Sequence, residues 1–259
     1  MRRVDLQRLD ATLVLGLRDL GEADRLVFLY ARDRGRFSAV ARSGRRPASR
    51  LAGHLQLFAK VAIELVPTRS LDIITSARSL ADRPRLAAGR RFAAASRVIE
   101  FLRRATAEED PDPGLFDLAD GTLELIDRRE RVSRQLWQFE LAALDRLGLA
   151  PVLFDCALCN RALNARDLWF DPQAGGAICE HCPRSPLAAR ISERTLKALR
   201  FLQEARLGEA DKLGIDPAIR EQITLLLDRI LQVAVGSIRP GPGADNSLGR
   251  PATGPDSQQ

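Results

Sequence analysis

Four cysteines are the residues of this 259-residue chain whose types and spacing most clearly indicate chemistry. They form two C-x2-C pairs, CALC at Cys156 and Cys159 and CEHC at Cys179 and Cys182, separated by nineteen residues. Two residues between cysteines let both thiolates of a tight turn point at one ion, and two such turns complete a tetrahedron of sulfur ligands. The spacing therefore predicts a Zn²⁺ site made by these four residues.

Other uses of the cysteines remain open from sequence alone. Disulfides require an oxidising compartment, and nothing in the sequence indicates one. A redox C-x2-C pair normally opens a helix, whereas both pairs here lie in loop-like segments. An iron–sulfur cluster also takes four cysteine ligands and stays possible on ligand type.

A structural role for the metal is favoured over a catalytic one. Four cysteines close the coordination sphere, while catalytic zinc keeps an open position beside an acid or base. His181 lies inside the second pair and is an alternative ligand. The H-x-E signature of zinc nucleobase deaminases is absent, because His54 is followed by Leu-Gln and not by x-Glu. Between the pairs, Leu168–Phe170 predicts a strand and Gly175-Gly176 a hairpin turn, so residues 156–185 are predicted to be a zinc-ribbon insertion.

The positive charge of the chain is concentrated in its first third. Residues 1–80 hold 15 Lys and Arg against 8 Asp and Glu, whereas residues 81–150 hold 12 against 13. A basic patch on one module is typical of a protein that binds a polyanion. One nearly acid-free run supplies the candidate DNA-binding residues, with a solvated surface as the alternative interpretation: Arg25, Arg32, Arg34, Arg36, Arg42, Arg45, Arg46 and Arg50.

The elements that must position these arginines are predicted to be strands. Apolar segments broken by turns occur at residues 11–17, 25–31, 36–42, 55–66 and 70–77, with a long basic loop between the third and fourth. Five short strands without intervening long helices predict an OB-fold barrel over residues 1–80. Alternation places Phe28 and Phe37 in the barrel core, and Tyr30 shares the parity of Phe28.

From Pro84 onward the apolar period becomes helical. The predicted fold is therefore α+β, with a helical domain over residues 81–155 and 186–238 that carries the ribbon insertion. Ser192 is a predicted N-cap, and Asp216 caps a helix that begins at Pro217. Residues 239–259 are rich in Gly, Pro and polar residues, which predicts a disordered tail.

Several classes of function have no support in the sequence. No signal peptide or membrane span is predicted, because the basic N-terminus has no apolar run behind it, so we expect a cytoplasmic protein. No nucleophile elbow, phosphate-binding glycine loop or paired-carboxylate motif occurs, and His54 is isolated in sequence. The chain is therefore not predicted to be an enzyme.

The order of these motifs resembles the bacterial DNA repair protein RecO family. The shared features are a Gly-Glu-x-Asp turn at Gly21–Asp24, a glycine before the third strand at Gly35, and a basic loop from Ala41 to Arg50. LDRLGLAPVLFDCALC, Gly175-Gly176 and CEHC resemble the later segment of that family. The chain departs from it at Leu57, where proline is frequent, and in its Pro/Gly-rich tail.

The resemblance implies a recombination mediator that performs no catalysis. Such proteins bind single- and double-stranded DNA, anneal complementary strands and, with RecR, help load RecA onto strands coated by single-stranded DNA-binding protein (SSB). The resemblance also implies binding to the C-terminal tail of SSB and a location at the nucleoid. Cysteines are not universal in the family, so the metal is not expected to be essential to the shared activity. A zinc enzyme acting on nucleic acid and a zinc-ribbon adaptor for transcription or RNA binding remain alternatives.

Overall fold

The protein is described by a computed structural model that covers residues 6–44, 49–163, 168–234 and 236. The described residues divide into two compact units. The first contains the residues up to Asp82 together with Glu108–Pro111. The second contains Arg83–Ala107 and the described residues from Asp112 onward.

The first unit is a closed five-stranded barrel. Its strands follow the order β1-β2-β3-β5-β4, and β4 closes the barrel by pairing with β1. Neighbouring strands pair antiparallel, except β3 and β5, which run parallel. The prediction of a five-stranded, OB-type barrel is confirmed. The strands are β1 (Gln7–Leu20), β2 (Asp24–Ala31), β3 (Gly35–Ala41), β4 (Lys60–Val66) and β5 (Asp72–Ala81).

The barrel core is formed by alternate residues of each strand. In β3, Phe37, Ala39 and Ala41 are buried in this core, as their alternation with polar residues predicted. Residues directly opposite each other on two strands share a face, and the partner of Phe37 on β2 is the core residue Leu29. The register of β3 is therefore fixed by its own sequence pattern.

The predicted orientation of Phe28 is wrong. The core residues of β2 are Val27, Leu29 and Ala31, so Phe28 and Tyr30 lie on the outer face of the barrel. Phe28 is half-buried there and Tyr30 is fully buried. Every residue from 26 to 31 is apolar, so no alternation distinguished the two faces of this strand.

The fourth strand is also shorter than predicted. The segment that precedes it contains a short helix, α1 (Arg50–His54), and β4 begins only at Lys60. Phe58 has a positive φ of 69°, which a continuous strand does not permit. Its amide donates to the Val14 carbonyl at 3.1 Å, and the Val14 amide donates to the Ala59 carbonyl at 3.0 Å. This segment therefore packs against β1 through a turn.

A segment distant in sequence completes the edge of β3. Glu108 forms an isolated parallel bridge with Arg36, and the Glu109 amide donates to the Arg36 carbonyl at 2.9 Å. Gly35, at the start of β3, has a positive φ of 78°, and a Cβ there would overlap the backbone of Asp110. Only glycine meets both requirements without strain. Residues Glu108–Pro111 are called the acidic segment from here on.

The second unit is mainly helical. Asp112 caps α3 by accepting a bond from the Leu115 amide, and Ser192 caps α5 by accepting from Thr195. Asp216 accepts from the Ile219 amide at 2.9 Å, so both predicted caps, Ser192 and Asp216, are confirmed. The helices are α2 (Gly89–Ala105), α3 (Pro113–Arg128), α4 (Val132–Arg146), α5 (Glu193–Glu204) and α6 (Pro217–Ala234), with 3₁₀ turns at Pro84–Ala87 and Glu209–Lys212.

A small three-stranded sheet lies in the second unit between α4 and α5 in sequence. Its strands are β6 (Trp169–Asp171), β7 (Gly176–Ile178) and β8 (Ala189–Arg190), in the order β7-β6-β8. β6 and β7 form the predicted hairpin, and Gly175 in its turn has a positive φ of 79°. Within the part of the chain that the structure describes, no helix has the length and apolarity needed to cross a membrane.

Candidate metal centre and nucleic-acid interface

The four cysteines converge on one point. Their Sγ atoms all lie within 4.8 Å of one another, and the closest pairs are separated by 3.6, 3.7 and 3.8 Å. A tetrahedral Zn²⁺ with Zn–S bonds of ~2.3 Å holds its sulfurs about 3.8 Å apart. The arrangement therefore fits a metal ion held by Cys156, Cys159, Cys179 and Cys182.

Backbone turns aim the first pair of thiols inward. The Cys156 amide donates to the Arg161 carbonyl at 2.9 Å, and the Asn160 amide donates back to the Cys156 carbonyl at 2.9 Å. Asn160 closes this turn with a positive φ of 57°, a conformation that asparagine tolerates better than most residues. The second pair follows directly after β7. The backbone amide of Cys179, its first member, donates to Cys156 Sγ at 3.4 Å. The two pairs are thus joined by backbone as well as by their thiols.

The environment of the thiols favours a bound cation. Burial opposes ionisation of Cys156, but the amides of Cys179, Cys159 and Leu158 outweigh it and lower the pKa of its thiol to about 6. Burial and the neighbouring cysteine thiols raise the pKa of Cys182 to about 12. The Cys156 thiol therefore ionises readily, whereas the Cys182 thiol beside it resists ionisation. A divalent cation at the centre removes that conflict, because it stabilises all four thiolates.

His181 does not join the sulfur cluster. Its side chain is 72% exposed and its Nε2 lies 3.5 Å from the Glu180 carboxylate. Among the described residues, the four thiols are the group that lies close enough to hold one ion. The site is thus closed on its protein side, as the structural interpretation of the motif predicted.

Two further residues shape this ribbon, and the spacing of the cysteines did not reveal them. A Cβ on Gly176 would overlap the backbone of Val152, whose amide and carbonyl pair with Gly175 and Ala177 at 2.9 and 2.8 Å. Asp171 is almost fully buried and accepts bonds from the Ser185 amide and hydroxyl at 2.7 and 2.6 Å. Although burial opposes it, hydrogen bonding, first from Ser185, lowers the pKa of Asp171.

The ribbon is anchored to a helix of its own unit. Arg200 on α5 donates to the Leu153 and Phe154 carbonyls at 2.9 and 3.3 Å, and its guanidinium stacks on the Phe154 ring at 5.0 Å. Gln203, one turn later, donates to the Pro151 carbonyl at 3.1 Å. The segment that leads into the first cysteine pair is therefore fixed before it reaches the metal site.

The candidate DNA-binding arginines of the barrel differ in their surroundings. Arg42 and Arg50 are exposed at the two ends of the connection from β3 to α1, and neither makes an ion pair with a described residue. Arg45 and Arg46 lie between them, outside the described residues. Arg25 is partly exposed beside Asp19 at 3.4 Å, and Arg32 lies 3.7 Å from Asp33.

Arg34 and Arg36 are held by carboxylates instead. Arg34 contacts Asp72 at 2.6 Å and Glu109 at 2.7 Å, and its guanidinium stacks over Phe37 at 4.3 Å. Arg36 is mostly buried and lies 3.4 Å from Glu108. Burial disfavours the charge on Arg34, but hydrogen bonds to Glu109 and Asp72 outweigh it and raise its pKa. These two guanidiniums are partly neutralised by the acidic segment.

The Gly-Glu-x-Asp turn fixes the start of the basic connection. Asp24 accepts a bond from the Ser43 amide at 2.8 Å, across the β2–β3 pair. Ser43 has a positive φ of 54°, so this bond holds a strained residue immediately after Arg42. His54, at the far end, bonds through Nδ1 to the Ser79 hydroxyl at 3.0 Å and is therefore a satisfied structural histidine.

Comparison with known proteins assigns both halves of the chain to one family. Residues 7–83 match the family model "Recombination protein O N terminal", and residues 86–241 match "Recombination protein O C terminal". The chain is 35% identical over 222 residues to the DNA repair protein RecO of Roseiflexus sp. (strain RS-1), covering 85% of this chain and 78% of that protein. It is 33% identical over 230 residues to the RecO protein of Pelotomaculum thermopropionicum, covering 87% and 88%.

Proposed function

The chain belongs to the RecO family of DNA repair proteins, and from that premise we propose that it is a non-catalytic mediator of recombination. In this role it binds single- and double-stranded DNA and anneals complementary strands. With RecR, it helps load RecA onto single strands coated by SSB. The observation that carries the proposal is the match of both units to one family.

The barrel is the proposed grip on DNA. Arg42 and Arg50 bracket a connection that also contains Arg45 and Arg46, so four guanidiniums lie within nine residues of chain. Guanidinium groups bind phosphate oxygens with a planar fork of donors, and phosphate contacts carry no base preference. Binding should therefore be independent of sequence and sensitive to salt. Arg25 and Arg32, at the two ends of β2, extend the grip. Arg34 and Arg36 contribute where phosphates displace the carboxylates of the acidic segment from their guanidiniums.

The metal is proposed to be Zn²⁺ with a structural role. When bound, it supplies folding free energy to a ribbon whose three short strands bury little apolar surface. The cysteines, the Gly176 contact and the Asp171 bonds then hold the ribbon together, and Arg200 and Gln203 attach it to α5. No step at DNA is assigned to the ion.

The partners follow from the same premise. RecR, the C-terminal tail of SSB and, functionally, RecA are proposed, with the helical unit as the location for the SSB tail. The corresponding place in the cell is the cytoplasm, at the nucleoid.

Substitution of the barrel arginines tests the proposed grip. Changing Arg42 and Arg50 together to alanine should weaken binding to a labelled oligothymidylate about 10-fold and reduce the slope of log K against log salt by about 1.4. Arg8 and Arg78, which are exposed elsewhere on the barrel, provide the matched double-alanine control. Equal losses in both variants would reject the assignment of this connection.

An annealing assay tests the wider function. The full chain should accelerate pairing of complementary oligonucleotides, including strands already coated by SSB. A zinc-ribbon adaptor for transcription or RNA binding would bind nucleic acid without annealing coated strands. The absence of annealing by folded, metal-loaded protein would therefore favour that alternative.

A further inference from the structure

The corner between α3 and α4 gathers arginines from several elements of the second unit. The chain passes from α3 to α4 through Arg129, Glu130 and Arg131. Side-chain contacts join this turn to the 3₁₀ turn at Pro84–Ala87, to α2 and to the 3₁₀ turn at Glu209–Lys212. Arg134 on α4 contacts the last of these as well. The arginines that these contacts join are called the arginine corner: Arg85, Arg90, Arg91, Arg128, Arg129, Arg131 and Arg134.

One carboxylate serves three of these guanidiniums. Glu130 lies 2.8 Å from Arg91, 3.0 Å from Arg85 and 3.5 Å from Arg90. Hydrogen bonds from Arg91 and then Arg85 lower the pKa of Glu130. The Glu130 side chain is nonetheless 68% exposed, as are large parts of Arg85 and Arg90. Three cations on one exposed anion leave unbalanced positive charge at the surface.

Asp211 is a second shared acceptor, through its carboxylate for one arginine and through its backbone carbonyl for two others. Asp211 lies 3.6 Å from Arg129, and its carbonyl accepts from Arg131 at 2.7 Å and Arg134 at 3.3 Å. Arg134 is 9% exposed and makes no ion pair with a carboxylate among the described residues. Burial and the positive charges of Arg131 and Arg220 lower its pKa, against the attraction of Asp211.

The total charge of residues 81–150 does not show the imbalance at this corner. The guanidiniums of this set contact three carboxylates, those of Glu124, Glu130 and Asp211, while the Asp127 carboxylate accepts from the backbone amide of Arg85. By contrast, residues 81–150 as a whole hold 12 basic and 13 acidic residues. The fold separates these charges in space, because α3 and α4 bring Arg128–Arg134 beside the arginines that follow Arg83. The result is a basic surface built largely from a stretch of sequence whose total charge is nearly balanced.

We propose that the arginine corner is a second phosphate-binding surface, which takes the backbone of single-stranded nucleic acid while Glu130 occupies it in the free protein. Four guanidiniums around this turn, those of Arg85, Arg90, Arg128 and Arg129, are more than half exposed, which suits a polymer that presents several phosphates. Glu130 offers two oxygens to three guanidiniums, as a phosphate would. This inference rests on the proposed DNA-binding function and adds a surface that is separate from the barrel connection.

Neutralising two exposed arginines tests the surface directly. Arg90 and Arg129 are 71% and 55% exposed and make only long ion pairs, so changing both to glutamine should leave the fold intact. Binding of the full chain to a labelled oligothymidylate should weaken about 3- to 10-fold, with the salt slope reduced by about 1.4. The matched control is the double glutamine variant of Arg161 and Arg206, which are exposed in the same unit.

Removal of the internal anion gives a prediction of opposite sign. Changing Glu130→Gln should strengthen oligothymidylate binding about 2- to 5-fold, because the guanidiniums lose their competitor while the net charge rises by one. Glu193→Gln makes the same charge change at an exposed ion pair with Lys197 on α5 and controls for net charge. A purely structural Glu130 would lower thermal stability without strengthening binding.

The outcomes separate this inference from the proposed function. If the wild-type chain fails to bind the oligonucleotide, both fail. If it binds, and the Arg42/Arg50 variant loses affinity while the Arg90/Arg129 variant matches its control, the corner is not a phosphate surface. The same conclusion follows if the Arg90/Arg129 variant loses affinity only for an acidic peptide, since the occupant would then be a protein. Weaker binding for Arg90/Arg129 together with stronger binding for Glu130→Gln supports the inference.

Discussion

Cys156 is the most enclosed of the four cysteines and connects the two halves of the ribbon. Its Sγ accepts the Cys179 amide and lies 3.7 Å from the Cys182 Sγ. The side chain therefore belongs to the interior of the ribbon as well as to the proposed metal site. Its position predicts that losing this one thiol affects folding before it affects nucleic-acid binding.

Changing Cys156→Ala should lower Tm by about 5 °C or more, because a three-ligand site binds the metal weakly and the ribbon depends on it. Oligothymidylate affinity, measured below the lower Tm, should change less than 2-fold, since the barrel is untouched. Excess chelator on the wild type should reproduce the fall in Tm. His181→Ala, at an exposed non-ligand, is the control. A large loss of affinity without a loss of stability would instead assign nucleic-acid binding to the cysteine ribbon.

Glu140 provides a residue-scale prediction for pH. It is buried on α4, accepts from Arg97 at 2.6 Å, and its Oε2 has no hydrogen-bond partner among the described residues. Burial raises its pKa to about 7, against the attraction of Arg97. A folded-state pKa above the unfolded value means that the folded protein binds the extra proton. The stability from this residue is therefore present at acid pH and lost as the pH rises through about 7.

Changing Glu140→Gln should remove the loss of stability that the wild type suffers as the pH rises. Thermal melts in matched buffers should show the Tm of the variant rising relative to that of the wild type between about pH 5 and about pH 8. Arg97 keeps Asp228 as a partner in the variant, so its charge stays paired. The Glu193→Gln variant, at an exposed pair, should show no such trend. A difference that is constant with pH would mean that Glu140 is ionised throughout.

At the scale of elements, Gly35 and Gly53 make a matched pair. Gly35 has a positive φ and touches the acidic segment, whereas a Cβ on Gly53 in α1 would meet no atom within 4 Å. Gly35→Ala should destabilise the protein by roughly 1–3 kcal/mol, through backbone strain and the clash with Asp110. Gly53→Ala should be neutral or stabilise by up to about 1 kcal/mol, because alanine favours a helix. Urea unfolding measures both, and equal effects would contradict this account.

The elements differ in how far the sequence could predict them. The clustering of the four cysteines was predictable because local spacing fixes each pair. The alternation in β3 was readable, but the uniformly apolar β2 concealed which face holds Phe28. The pairing of Arg34 with Glu109 joins residues 75 positions apart, so no local pattern contains it. Sequence therefore identified the basic run but not which of its arginines already have carboxylate partners.

At the scale of the whole molecule, binding should follow charge and not base sequence. Affinity for single strands should fall linearly in log–log plots against salt, with a slope of about −0.7 for each phosphate contacted. Oligonucleotides of equal length and different base composition should give the same slope in fluorescence anisotropy titrations. A strong preference for one sequence, unaffected by salt, would indicate base contacts and argue against a phosphate grip.

The acidic segment has a consequence for how the chain folds as it leaves the ribosome. All five strands are complete once Ala81 has been made, yet the edge of β3 receives its partner only when Glu108–Pro111 emerges after α2. In the interval a nascent barrel presents Arg34 and Arg36 without two of their carboxylates, beside a ribosome rich in phosphate. A barrel fragment that ends at Asp82 should retain that state permanently, and is expected to be less stable and more adhesive to nucleic acid than the barrel within the full chain.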